Sequence, residues 1–223
     1  NFVYEPCLRD TASAIGLAAT ALRTRCAAAT MIVLTADQII EPADRLNTAI
    51  ANAATFLDLH PDQLVAFAIE AASPSTLVGW QKLGDPVDFS GCEVRRIAAF
   101  TEKPELEVAQ QYLSEGGYCW NSGQFAWKAD TILREIYTNL PEAAPLLTQI
   151  GEAWNTPARQ QVLDELFEHL LSQLNEADAE DLDSGLASDV GHRCSMGRAM
   201  YRWRGRVAAR TIAAALHDLT GES

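Results

Sequence analysis

Four short polar clusters carry the side chains in this sequence best suited to act on a small ligand: Glu5-Pro6 through Thr11, Thr35-Ala36-Asp37, Glu102-Lys103-Pro104 and Trp120-Asn121-Ser122-Gly123. Each stands at the end of an apolar, strand-like run, and in open α/β sheets ligands bind beyond the carboxyl ends of strands. The clusters offer carboxylates, an ammonium group and an amide, the groups that hold polar, charged ligands. Taken singly, each has a plainer role. Asp37 serves as a turn cap, Glu102 and Lys103 as a surface ion pair, and Asn121 to Gly123 as a tight turn.

The elements that would position these groups follow from periodicity. Ile15, Ala18, Leu22 and Cys26 recur at helical spacing behind Asp10, a good N-cap, which predicts a helix over Thr11–Cys26. Met31 to Leu34 reads as a short strand, and a helix starts near Pro42, whose fixed φ suits a first turn. Leu64 to Ile69 reads as a buried strand, so strand and helix alternate as in a parallel sheet covered on both faces. Further strands are expected near Leu77 to Leu83, over Val94–Thr101 and over Gln124–Lys128, with a helix opened by Pro104. Ala129–Asn139, Ala143–Ile150 and Ala158–Leu174 read as helices. The expected class is α/β: a doubly wound, mostly parallel sheet with helices on both faces and a helical C-terminal part.

Composition narrows the function classes. The chain has 223 residues, 48% hydrophobic, with a formal charge of -13, so a phosphate-coated nucleic acid meets a repulsive field. The longest apolar run, Cys26 to Ala36, is far short of the ~20 residues a membrane helix needs. Five widely spaced cysteines without a CxxC pair argue for free thiols in a reducing compartment, hence a cytoplasmic location. Composition shifts near Asn175: six of the fourteen residues from Glu176 to Asp189 are acidic, whereas Asp189 to Ser223 holds six Arg, no Lys and three acids. Asp181-x-Asp183-x-Gly185 does not fit an EF-hand loop, so the acidic run reads as a solvated linker. The Arg-rich stretch Arg198–Arg210 reads as a solvent-facing helix surface. Two segments are expected, 1–174 and 175–223.

In order and spacing the clusters say more than they do alone. Glu5-Pro6-x-x-Arg9-Asp10-Thr11-Ala12-x-Ala14-Ile15, Ala36-Asp37-x-Ile39-Ile40, Gly79-Trp80 followed by Gly84, Phe100-x-Glu102-Lys103-Pro104 and Trp120-Asn121-Ser122-Gly123-x-Phe125 form one series. It resembles the mannose-1-phosphate guanylyltransferases, members of the sugar-phosphate nucleotidyltransferases, from Asn1 to about Tyr137. The resemblance implies transfer of a guanylyl group from GTP to mannose 1-phosphate, giving GDP-mannose and pyrophosphate, with Mg²⁺ as cofactor. It implies Asp37 and Lys103 as catalytic residues, Arg9, Thr11, Gly79, Glu102, Lys103 and Asn121 as substrate-binding residues, and Asp37 with Asp189 as metal ligands. Asp189 enters because Ser188-Asp189-Val190-Gly191 is similar to the family's Trp-x-Asp-x-Gly segment. The implied partners are small molecules, with no nucleic acid and no membrane, and a homo-oligomer is compatible with the sequence.

The chain departs from the family pattern at definite places. The Gly-rich loop that cradles the triphosphate, and the Pro-Lys after it, are not in this sequence, which begins at Asn1. An N-terminally truncated chain, impaired in transfer on its own, is the expectation. Asp10 stands where the family has Asn, Gln38 where it has His and Trp80 where it has Tyr. A thymidylyl- or adenylyltransferase for another hexose phosphate, and a non-catalytic sugar-phosphate-binding homologue, stand as alternatives.

Overall fold

The fold was analysed in a computed structural model, which describes residues 3–6, 11–36, 38–167, 169 and 211–216. Arg9, Asp10, Asp37, Asp189, the acidic run and the Arg198–Arg210 stretch therefore lie outside the described residues, as does the 174/175 boundary. In chain order the elements are α1 (Thr11–Arg23), β1 (Thr30–Val33), α2 (Ala43–Leu59), β2 (Leu64–Glu70), β3 (Trp80–Val87) and β4 (Val94–Thr101). There follow α3 (Leu106–Glu115), β5 (Tyr118–Lys128), α4 (Ala129–Asn139), α5 (Ala143–Ala153) and β6 (Thr211–Leu216). Residues 159–167 are also helical. No helix among the described residues is long and apolar enough to cross a membrane.

Contacts divide the chain into two compact units. One contains α1, α4 and α5. Its core is Ile15, Leu17 and Ala19 of α1, Ile132, Leu133 and Ile136 of α4, and Leu146, Leu147 and Ile150 of α5. Helix α1 stops at Arg23, and Cys26, expected on its apolar stripe, is exposed beyond the end.

The other unit is the six-stranded sheet with α2 and α3. Strand order is β1-β5-β2-β6-β4-β3, and β5 also pairs with β3. Ala49, Ala53, Phe56 and Leu57 of α2 lie over Val65 and Phe67 of β2, Val94 of β4 and Ala126 of β5, forming one apolar cluster. These positions are spaced three and four apart on the helix and two apart on β2, so each element shows one face to the other. Lys128 ties this layer at its end, its Nζ donating to Asp58 Oδ1 at 2.5 Å and to Thr30 Oγ1 at 2.8 Å.

The α/β class holds, with a sheet flanked by helices, but the mostly parallel sheet does not. Among the described strands, β2–β6 is parallel and all other pairings are antiparallel. Strands β1 and β2 do run the same way around α2, as their alternation requires. Instead of pairing with each other, both pair with β5, which enters antiparallel between them. A strand from much later in the chain takes the central place, and local periodicity carries no sign of that.

Two further expectations are corrected. Asn121 to Gly123 make no tight turn; β5 runs through them as one strand of 11 residues. The irregularity is a register shift against β2 between Ala66 and Ala68, with Gly123 at φ 74, a conformation glycine adopts without steric penalty. Second, the C-terminal part is not wholly helical, because Thr211–Leu216 forms β6 between β2 and β4. An alanine-rich stretch favours helix in isolation, yet here it supplies backbone partners to two strand edges, and that pairing outweighs propensity.

Cys119 of β5 is buried opposite Glu70 of β2. Burial, and secondarily the Glu70 carboxylate, push its thiol up to about 11. The unfolded thiol ionises near 9.0, so between that pH and about 11 the unfolded chain holds fewer protons and stability falls as pH rises. Urea midpoints measured from pH 8 upward should show this alkaline loss in the wild type. It should be diminished in Cys119→Ala.

Candidate active site

The site is assembled from the residues that begin β3, end β4 and cross the middle of β5. Gly79, just ahead of β3, accepts a hydrogen bond at its carbonyl from the Asn121 backbone N–H at 2.7 Å. A Cβ at Gly79 would lie 2.6 Å from Phe100 Cζ and 2.7 Å from Glu102 Oε2, so no residue with a side chain fits without moving the Glu102 carboxylate. Glycine is required there by close approach rather than by its own dihedrals. The structure thus brings Gly79, Glu102 and Asn121 together, with Lys103 beside Glu102.

Glu102 and Lys103 follow β4. Lys103 Nζ stands 3.6 Å from Glu102 Oε1, with the lysine half-exposed, and a pair of this kind is worth little to stability. Lys103 has φ 42, a left-handed conformation unfavourable for a residue with a Cβ. Backbone strain of this sort persists where surrounding structure imposes it, commonly at functional sites.

The Asn121 side chain is held as well. Its Oδ1 accepts from Gln81 Nε2 at 2.9 Å, and Gln81 is 1% exposed within β3. Next along β5, Ser122 is buried, its Oγ donating to the Phe67 carbonyl at 2.7 Å and accepting from the Gln124 backbone N–H at 3.1 Å. Phe67 lies at the register shift, where the ladder is interrupted, so the serine hydroxyl satisfies a carbonyl facing an irregular stretch of its neighbour. Ser122→Ala should cost about 1–3 kcal/mol in chemical denaturation, the penalty of a buried carbonyl left unpaired. A cost near zero would mean the bulge does not depend on that hydroxyl.

A chain of amides links the segment after β1 to the same bulge. Gln38 Nε2 donates to the Ser122 carbonyl at 2.8 Å, and Gln124 Nε2 donates to Gln38 Oε1 at 3.1 Å. The residue following Asp37 in sequence is thereby fastened to β5, although Asp37 itself is outside the described residues. Thr11 opens α1, in the helical unit. Sequence reasoning missed Gln81 and Gln124, and saw Gln38 as a departure from the family only. The available signal was a glutamine beside an aromatic residue in each strand, Trp80-Gln81 and Gln124-Phe125.

Behind the site lies an aromatic layer. Trp80 meets Trp120 edge-on at 6.2 Å and Tyr112 at 5.8 Å, while Tyr112 stacks on Tyr118 at 4.1 Å. Thr101 Oγ1 and the Tyr112 hydroxyl lie 3.0 Å apart, fastening α3 to the end of β4.

The chain has counterparts among known proteins. The family model for nucleotidyl transferases matches residues 1–182. The chain belongs to that family. Its relatives include the mannose-1-phosphate guanylyltransferase of Escherichia coli K12, 36% identical over 145 residues covering 64% of this chain and 30% of that protein. ManC of Salmonella typhimurium, of the same description, is 38% identical over 146 residues, again 64% of this chain and 30% of that protein. Thus the chain spans about 30% of the length of these curated relatives. Among solved structures, a Thermus thermophilus protein described as a mannose-1-phosphate geranyltransferase is 28% identical with a TM-score of 0.59, covering 74% of this chain and 46% of that one. Mannose-6-phosphate isomerase from Helicobacter pylori is 25% identical with a TM-score of 0.56, covering 69% of this chain and 55% of that one. In this nucleotidyl transferase family member, Gly79 meets Glu102 and Asn121, and Lys103 stands beside Glu102.

Proposed function

We propose that this chain belongs to a protein that makes GDP-mannose from GTP and mannose 1-phosphate. An oxygen of the sugar phosphate attacks the α-phosphorus of GTP, a new P–O bond forms, the bond to the β-phosphate breaks, and pyrophosphate leaves. Such a step needs positioning and charge neutralisation more than covalent help. The observation that carries the reading is the convergence of Gly79, Glu102 and Asn121, with Lys103 held strained beside them. Gly79 leaves room for the sugar against the backbone, Glu102 accepts from sugar hydroxyls, Asn121 contacts another hydroxyl, and Lys103 sits on the phosphate. Arg9 and Thr11 would contact nucleotide or phosphate at the start of α1, where free amides suit an anion.

Mg²⁺ belongs to the same reading, since Asp37 and Asp189 offer the hard carboxylate oxygens this ion takes. Both lie outside the described residues, and those residues contain no cluster of three or more His, Cys, Asp or Glu placed to hold a metal.

Two measurements test the reading. The longer protein, with the family's Gly-rich loop in place, should yield GDP-mannose by mass spectrometry when incubated with mannose 1-phosphate, Mg²⁺ and an equimolar mixture of GTP, ATP and dTTP, whereas the chain alone should yield little. A different sugar nucleotide would favour a transferase of other base choice, and sugar-phosphate binding with no product would favour a non-catalytic homologue. Lys103→Gly should raise folding stability by about 1 kcal/mol, because it removes a Cβ from a left-handed residue. The same change should weaken mannose 1-phosphate binding by roughly ten- to a hundredfold in calorimetry, through loss of a charge-assisted bond. Unchanged affinity would remove Lys103 from the site.

A further inference from the structure

We propose that Gln81 is a positioning residue that fixes the amide of Asn121 as a hydrogen-bond donor toward the sugar phosphate. This rests on the reading of Asn121 as a sugar contact. Asn121 brings one acceptor oxygen and one NH₂ group to the site. The oxygen is taken: Gln81 Nε2 donates to Asn121 Oδ1 at 2.9 Å. What Asn121 retains for a ligand is its NH₂, and no described residue accepts from it. The ligand atom it suits is an acceptor, a hydroxyl or phosphate oxygen.

Gln81 is well built for this task. It is 1% exposed, in the middle of three strands, opposite Phe100 of β4 and Cys119 of β5. The Asn121 main chain is pinned independently by its N–H on the Gly79 carbonyl, so two residues either side of Trp80 fix the backbone and the side-chain plane of Asn121. Gln81 also carries a visible cost, since its Oε1 is buried without a hydrogen-bond partner. An unpaired amide oxygen in a strand interior is disfavoured, and an apolar residue would avoid it. A polar residue kept at such a place, whose amide bond goes to a proposed ligand-binding residue, points to a task in orienting that residue.

The test is a double-mutant cycle read by calorimetric binding of mannose 1-phosphate to the whole chain, with thermal unfolding alongside. Gln81→Leu and Asn121→Ala should each weaken binding about tenfold, the effect of one well-oriented hydrogen bond, and the double variant should be no weaker than Asn121→Ala. Gln81→Glu adds a readout that packing alone would not move. A carboxylate at 81 accepts only, so it draws the Asn121 NH₂ to itself and turns the oxygen toward the ligand, and affinity should fall at least as far as in Gln81→Leu. If Asn121→Ala weakens binding while both Gln81 variants bind like the wild type, or if the two sites act additively, the positioning role is overturned and the sugar site stands. If Asn121→Ala binds as tightly as the wild type, or the wild type binds no mannose 1-phosphate, the sugar-site reading falls and the role of Gln81 falls with it.

Discussion

Trp80→Ala is expected to lower folding stability by about 3–5 kcal/mol, the cost of removing a large aromatic side chain from a filled interior. Trp80 is 1% exposed, contacts the rings of Trp120 and Tyr112, and its Nε1 donates to the Ser75 carbonyl at 2.8 Å. The substitution therefore empties the aromatic layer next to Gly79 and also releases the loop ahead of it. Trp80→Phe separates the two effects, since it keeps an aromatic ring and loses the bond to Ser75, and should cost nearer 1–2 kcal/mol. Equilibrium urea unfolding measures both. A loss below about 1 kcal/mol for the alanine variant would mean that the layer collapses over the gap and contributes little.

Gly79→Val is expected to abolish most sugar-phosphate binding while the protein still folds. The first added carbon already meets Phe100 Cζ at 2.6 Å and Glu102 Oε2 at 2.7 Å, and valine brings two more with a stiff χ1. Phe100 or the backbone must yield, at about 1–3 kcal/mol of stability, and the Glu102 carboxylate must leave the position from which it is proposed to accept from a sugar hydroxyl. Loss of a charged hydrogen bond, added to the volume now filled, should reduce mannose 1-phosphate affinity roughly a hundredfold. Gly79→Ala should fall between valine and the wild type in both respects. Wild-type affinity in the valine variant would place the sugar elsewhere.

Sequence patterns revealed elements better than arrangement. The strand Val94–Thr101 and the helix Ala129–Asn139 are legible to the residue, because local periodicity and flanking glycine, proline or polar residues mark them. The place of β5 between β1 and β2 is not legible, because a strand's partner is a long-range choice that leaves no local periodic trace. For the same reason Asn121 to Gly123 looked like a turn, whereas pairing with β2 on one side and a bulge at the shift carry the strand through. At the candidate site, Gly79, Glu102, Lys103 and Asn121 are singled out through family resemblance, which marks chemistry. The amide of Gln81, which bonds Asn121, and that of Gln124, which bonds Gln38, are not, since a residue acting through another leaves its mark in geometry alone.

The insertion of β5 also sets a timetable for synthesis. When Glu70 has left the ribosome, β1 and β2 are complete but the strand that joins them is not, and it ends at Lys128. At about 5–20 residues per second, that interval lasts roughly 3–12 s. During it the nascent chain carries two apolar strands whose facing edges have open backbone donors and acceptors, the kind of surface that recruits other chains. The second edge of β2 waits longer still, for Thr211–Leu216. Fast, crowded expression should therefore lose material to inclusion bodies before slow expression does, and a chaperone that shields extended apolar segments should recover it.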